Sequence, residues 1–172
     1  YILPSLRYHL TVHSVHKTHL DQLDMAAQKF IKLWLGIPAR GCTSAGIFSP
    51  FLLGVKPVSQ VYLEGHLGAY VNSMLVADAD TIEAIKCTEE REGQWTNKSS
   101  TTVQCKQLMD AMREEQECFI PTLDNTDTVE ATVRVELPNI KKVAKQKVAK
   151  MYREKAAGKI PFQGAMLSLL AQ

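Results

Sequence analysis

Basic side chains are concentrated near the C-terminus and are the strongest chemical signal in the sequence. They are Lys141, Lys142, Lys145, Lys147, Lys150, Arg153, Lys155 and Lys159. Such a run can neutralise the phosphates of a polyanion, or it can surround a solvated helix that connects other parts of a protein. Lys147 interrupts the apolar stripe between the basic residues, so the pattern leaves both interpretations open.

Four histidines near the N-terminus have a spacing that can serve a metal ion. His9, His13, His16 and His19 repeat at steps of four, three and three residues, which can bring imidazoles together on a helix. No cysteine or carboxylate completes a ligand set. We therefore interpret them as ordinary surface or boundary histidines and expect neither a metal nor a cofactor.

No set of residues in the sequence predicts catalysis. Asp78 and Asp80 lie two apart, which is weakly similar to a paired-carboxylate metal site, but Asp80 is better explained as a helix cap. The glycines form no phosphate-binding loop. The acidic clusters at 89–92 and 114–117 are typical of solvated helix faces.

Charge is strongly segregated along the chain, although the net charge is only +2. Residues 1–60 carry a net charge of +4, residues 61–130 of −9, and residues 131–172 of +7. Basic ends around an acidic middle can present local positive fields to a polyanion.

Composition and cysteine usage favour an intracellular protein, nuclear or cytoplasmic. The four cysteines contain no C-x-x-C pair, which favours reduced thiols over a disulfide framework or a zinc site. No apolar run approaches the roughly 20 residues that span a membrane, and no signal peptide is visible. The sequence opens without Met inside an apolar segment, so we expect a piece of a longer protein.

The segment from Lys17 to Leu35 is predicted to form a long amphipathic helix with a basic outer face. Its apolar residues recur at three- and four-residue steps. They are Leu20, Leu23, Ala27, Phe30, Ile31 and Trp34. We expect this stripe to be buried and Lys32 to lie on the exposed arc. Gly36 and Pro38 are typical of residues that end a helix.

The remaining periodicity predicts an all-α fold. Helices are expected at 57–75, 80–92, 101–118 and 139–157, whereas residues 1–13 fit a strand or a helix and two short β-prone pieces lie at 119–123 and 128–137. The expected architecture is a small helical bundle with an extended connector and a basic C-terminal helix. We predict two domains, 1–118 and 119–172.

Several segments, taken in order, resemble one family of proteins. They are an opening apolar segment (ILPSLRYHLTVHSVHKTHLDQLD), then KFIKLWLGIP, then LGVKPVS at 53–59, and QWTNKSSTTVQC at 94–105. Over roughly residues 1–115 this order is similar to the region just after the palm in non-LTR retrotransposon reverse transcriptases. The hallmark of that region, a helix ending in Trp-Leu-x-x-Pro, is matched by Trp34 to Pro38.

The resemblance implies a helical thumb that grips an RNA/DNA template-primer duplex. In that case Lys17, Lys29, Lys32 and Arg40 would neutralise phosphates without reading sequence, and Arg7 could join them. The basic C-terminal residues Lys141, Lys142 and Lys145 are further candidates for phosphate contacts.

The family's catalytic centre lies in the palm, where a Tyr/Phe-x-Asp-Asp motif holds metal ions. This chain contains no adjacent aspartates. We therefore expect it to act with the fingers and palm of a parent polymerase and not to be catalytic alone. An alternative from another class is a helical interaction module, whose basic C-terminal helix binds an acidic partner or a membrane surface.

Overall fold

Helices are the only regular secondary structure in the part of the chain that the computed structural model describes, which is residues 2–38, 47–48, 53–76, 78–94, 100–115 and 126–157. In chain order the helices are α1 (Ile2–Val12), α2 (Lys17–Trp34), α3 (Val58–Val76), α4 (Ala79–Gln94), α5 (Thr101–Glu114) and α6 (Thr126–Ala157). These ranges contain no strand, and the predicted all-α fold is confirmed.

The helix positions agree with the periodicity of the sequence except near the C-terminus. Residues 128–137, predicted to be β-prone, lie inside α6, and Pro138 lies within that helix instead of opening it. The β-preference of valine and threonine is a weak bias that context overrides, and here the helix continues through it. The other β-prone piece, 119–123, lies outside the described residues.

Contacts divide the chain into two compact units. One unit comprises Tyr1–Ser14 and Leu63–Val148, and the other comprises Val15–Tyr62 and Ala149–Gln172. The divisions fall inside α3 and α6, so these two helices contribute to both units. The domain boundary predicted at residue 118 lies outside the described residues.

The first unit has a core to which all its helices contribute. Its buried apolar residues are Leu10, Leu63, Leu67, Val71, Met74, Ile82, Cys105, Met109, Met112, Ile140, Ala144 and Val148. On α3, Leu63, Leu67 and Val71 recur every four residues and therefore form one stripe. Helices α4 and α5 also contact each other directly.

A glycine allows α1 and α3 to approach closely. A Cβ atom built on Gly65 would lie 2.6 Å from Thr11 Oγ1, whereas one built on Gly68 would meet nothing within 4 Å. The backbone of α3 is therefore in close contact with a neighbouring helix at Gly65 and not at Gly68. One residue along, His66 Nε2 lies 2.9 Å from the Leu10 carbonyl oxygen and joins the same two helices.

Asp78, and not the predicted Asp80, caps the start of α4. Its Oδ1 accepts a hydrogen bond from the Thr81 backbone N–H at 2.7 Å. The hydrogen bonds from the backbone and hydroxyl of Thr81 lower the pKa of the Asp78 carboxyl. This carboxylate is therefore explained by capping.

The second unit joins α2 to the start of α3 through a carboxylate. Asp24 Oδ1 accepts from the Ser59 backbone N–H at 3.2 Å, and Asp24 Oδ2 accepts from the Ser59 hydroxyl at 2.5 Å. Close by in sequence, Tyr62 is buried, and its hydroxyl accepts from the Val15 backbone N–H at 3.1 Å. Thus α2 supplies the cap for a helix that begins far away in the sequence.

The predicted burial of α2 is wrong. Leu20 is buried, but Phe30 is 57% and Trp34 is 79% exposed, while Lys32 is only 8% exposed. Apolar side chains occupy most of the circumference of α2, so its sequence does not identify one packed face. Leu20 and the partly buried Asp24, which contacts Ser59, lie on the packed side of α2, whereas Phe30 and Trp34, in its last turns, are exposed.

Helix α2 ends as the sequence predicts. Gly36 has a positive φ of 65°, and the Ile37 N–H donates to the Lys32 carbonyl at 2.9 Å. This pattern is a Schellman motif, in which a left-handed residue lets the chain satisfy the last carbonyls of the helix.

Candidate nucleic-acid interface

Helix α6 separates its apolar and basic residues onto opposite sides. Ile140, Ala144 and Val148, spaced four apart, are at most 1% exposed. Four basic side chains on the opposite side are exposed, and we call them the α6 basic face. They are Lys142, Lys145, Lys150 and Arg153. At about 100° per residue they fall within an arc of about 140°.

Two other lysines of α6 are engaged in contacts within the protein. Lys141 Nζ donates to Asn72 Oδ1 at 2.9 Å and so joins α6 to α3. Lys147 pairs with Glu115, which follows α5, and its side chain is only 12% exposed. These contacts account for the interrupted apolar stripe of the sequence, because Lys147 lies at the edge of the packed side and pairs with a carboxylate.

Of the basic C-terminal residues predicted to contact phosphates, the structure exposes Lys142 and Lys145 and leaves Lys141 half-buried. Lys150 and Arg153 extend the same face and were not among the predicted contacts. Their spacing from Lys142, eight and eleven residues, places them within about 80° of it around a helix and is a signal in the sequence that could have identified them. From Lys142 to Arg153 the face spans about 16 Å of helix axis.

Helix α2 does not present a comparable basic row. Lys17 and Lys29 are exposed, but they lie about 18 Å apart along the axis and about 120° apart around it. Lys32, which the sequence placed on the outer arc, is buried. Arg7 is exposed on α1, and Arg40 lies outside the described residues.

The histidines and cysteines do not form a reactive centre in the described part of the chain. His9 and His13 stack with ring centroids 6.2 Å apart, and His16 Nδ1 accepts from the Thr18 backbone N–H at the start of α2. No group of three or more His, Cys, Asp or Glu side chains is placed to hold a metal there. Burial raises the pKa of the Cys105 thiol to about 12, so it is a poor nucleophile.

No protein-family model matches this sequence, and neither a curated protein nor a solved structure is significantly similar to it. Among the described residues, none of the helices combines the length and the apolar character needed to cross a bilayer.

Proposed function

We propose that this chain binds an RNA/DNA template-primer duplex as the thumb and following connector of a non-LTR retrotransposon reverse transcriptase. The observation that carries the proposal is the α6 basic face, which leaves four cationic side chains exposed opposite a fully buried stripe. The sequence resemblance and the helix that ends at Gly36-Ile37-Pro38 support the assignment to a thumb.

The α6 basic face suits a phosphate backbone better than a base sequence. Lysine and arginine that reach phosphates position a protein on a duplex and carry no base information. The axial span of about 16 Å corresponds to about five phosphates, because each strand of a duplex carries one charge per roughly 3.4 Å. Binding is therefore proposed to be weak, independent of sequence and sensitive to salt.

Helix α2 has a smaller electrostatic role in this proposal than the sequence suggested. Lys17 and Lys29 are exposed and can each add one phosphate contact. Lys32 is not proposed to contact a phosphate, because its side chain is buried. The fingers and palm of a parent polymerase would supply the catalytic carboxylates that this sequence lacks.

The experiment measures binding of the full chain to a fluorescein-labelled RNA–DNA hybrid by fluorescence anisotropy across a salt series. Lys142→Gln combined with Lys145→Gln should reduce the log–log salt slope by about two, at roughly 0.9 per phosphate contact. The matched control is Lys86→Gln with Arg91→Gln, which removes the same charge from exposed positions on α4 and should leave the slope unchanged.

Three results would reject the proposal. The first is the absence of hybrid binding by the wild-type chain at low salt. The second is an equal loss of slope in both double variants, which would mean that only net charge matters. The third is binding to vesicles of anionic lipid, or to an acidic peptide, without binding to the hybrid; this would select the interaction module instead.

A further inference from the structure

Helix α2 exposes large apolar side chains, of which Phe30, Leu33 and Trp34 share one side of its C-terminal half. Met25 is 61%, Phe30 57%, Leu33 73% and Trp34 79% exposed. Phe30 and Trp34 are four residues apart and therefore neighbours on the helix surface, with about 6 Å between them along the axis. Contiguous apolar exposure of this kind typically marks a binding surface.

A groove of about 370 Å³ runs beside Phe30. Its walls include Met25, Leu33 and Ile37, and its polar side chains include Gln28 and Lys29. This volume lies in the range of sites that hold drug-sized ligands. No carboxylate belongs to the described lining, so the charge of the groove favours an anionic ligand with apolar faces.

We propose that Phe30, Trp34 and this groove bind unpaired nucleotides of single-stranded RNA or DNA. Every base has a π-face that can stack on an exposed aromatic ring, and a neighbouring lysine can contact its phosphate. Bases inside a duplex keep both faces stacked on their neighbours and cannot use these rings. The inference rests on the proposed function, because a protein that binds the phosphates of the duplex would also bind the unpaired strand that continues from it.

The test compares two substitutions of Trp34 for binding to fluorescein-labelled oligothymidylate. Trp34→Leu keeps an apolar side chain but removes stacking, and it should weaken binding by about 5- to 150-fold, as expected for the loss of one base–aromatic stack. Trp34→Phe retains an aromatic ring and should stay within about threefold of the wild type. Tyr8→Leu is the matched control, since Tyr8 is also an exposed aromatic residue (67%) and should not affect binding.

A second readout reports stacking directly. The sequence has two tryptophans, so Trp95→Phe leaves Trp34 as the only tryptophan, and its fluorescence should be quenched when oligothymidylate is added. The melting temperature of Trp34→Leu should match that of the wild type, because the side chain is mostly exposed.

Unchanged single-strand affinity in Trp34→Leu, or no quenching of Trp34 at saturation, would overturn this inference. Self-association that Trp34→Leu abolishes, without single-strand binding, would overturn it as well and assign the surface to a second copy of the chain. If hybrid binding persists through the α6 basic face in these cases, only this inference fails. If the wild type binds neither the hybrid nor the single strand, the proposed function fails.

Discussion

Replacing either of two glycines of α3 by alanine is expected to change stability in opposite directions at the two positions. Replacing a helical glycine by alanine ordinarily stabilises a protein by about 0.5–1 kcal/mol, because alanine loses less conformational freedom on folding. Gly68→Ala should follow this rule, since its Cβ would meet nothing within 4 Å. Gly65→Ala should not, because its Cβ would lie 2.6 Å from Thr11 Oγ1.

The size of the destabilisation expected for Gly65→Ala depends on Thr11, whose side chain is held in place. Thr11 Oγ1 donates to the Arg7 carbonyl at 2.8 Å, and rotating the side chain away would break that bond and move its methyl group. Overpacking of this kind costs about 1–3 kcal/mol. Set against the gain in helix propensity of about 0.5–1 kcal/mol, Gly65→Ala should destabilise the protein by about 0–2.5 kcal/mol. The two alanine variants should therefore differ by about 1–3 kcal/mol.

Urea unfolding followed by far-UV circular dichroism measures the difference, provided that the slope with denaturant is the same for each variant. The double variant Gly65→Ala with Thr11→Ala tests the cause, since removing Oγ1 should recover about 0.5–3 kcal/mol as a coupling between the two sites. The reasoning is refuted if Gly65→Ala stabilises the protein as much as Gly68→Ala does.

Four further measurements test the caps and the buried thiol. Asp24→Ala should lower the free energy of unfolding by about 0.5–2 kcal/mol through loss of the α3 cap, whereas Asp21→Ala, exposed on the same helix, should change it by less than about 0.5 kcal/mol. Gly36→Ala should lower the free energy of unfolding by about 1–2 kcal/mol, because the φ of 65° at Gly36 lies in the left-handed region; a melting temperature equal to or above that of the wild type would contradict this. Cys87 is exposed and should react with a thiol reagent in the native protein, whereas Cys105 should react only on unfolding. Burial raises the pKa of the Cys105 thiol from 9.0 to about 12. Above pH 9 the unfolded chain therefore loses this proton while the folded protein keeps it, so the free energy of unfolding should fall as the pH rises toward 12. A Cys105→Ala variant should lack this component of the pH dependence.

Helix formation in this chain was largely readable from the sequence, because it depends on interactions between residues close along the chain. The run from Lys17, the stop at Gly36 and the helix at 101–114 are set by local periodicity and capping. The α6 basic face could be predicted in part for the same reason, since side chains separated by three and four residues share one side of a helix.

Tertiary structure alone decided which side of α2 is packed and which lysines of α6 are engaged within the protein. The rotation of α2 depends on the Asp24–Ser59 contact, between residues 35 apart in sequence, and Lys141 is engaged by Asn72, 69 residues away. Because several faces of α2 are apolar, its sequence is compatible with more than one packing arrangement. That Lys32 is buried and Trp34 is exposed is therefore decided by the packing of the folded chain and not by the local pattern.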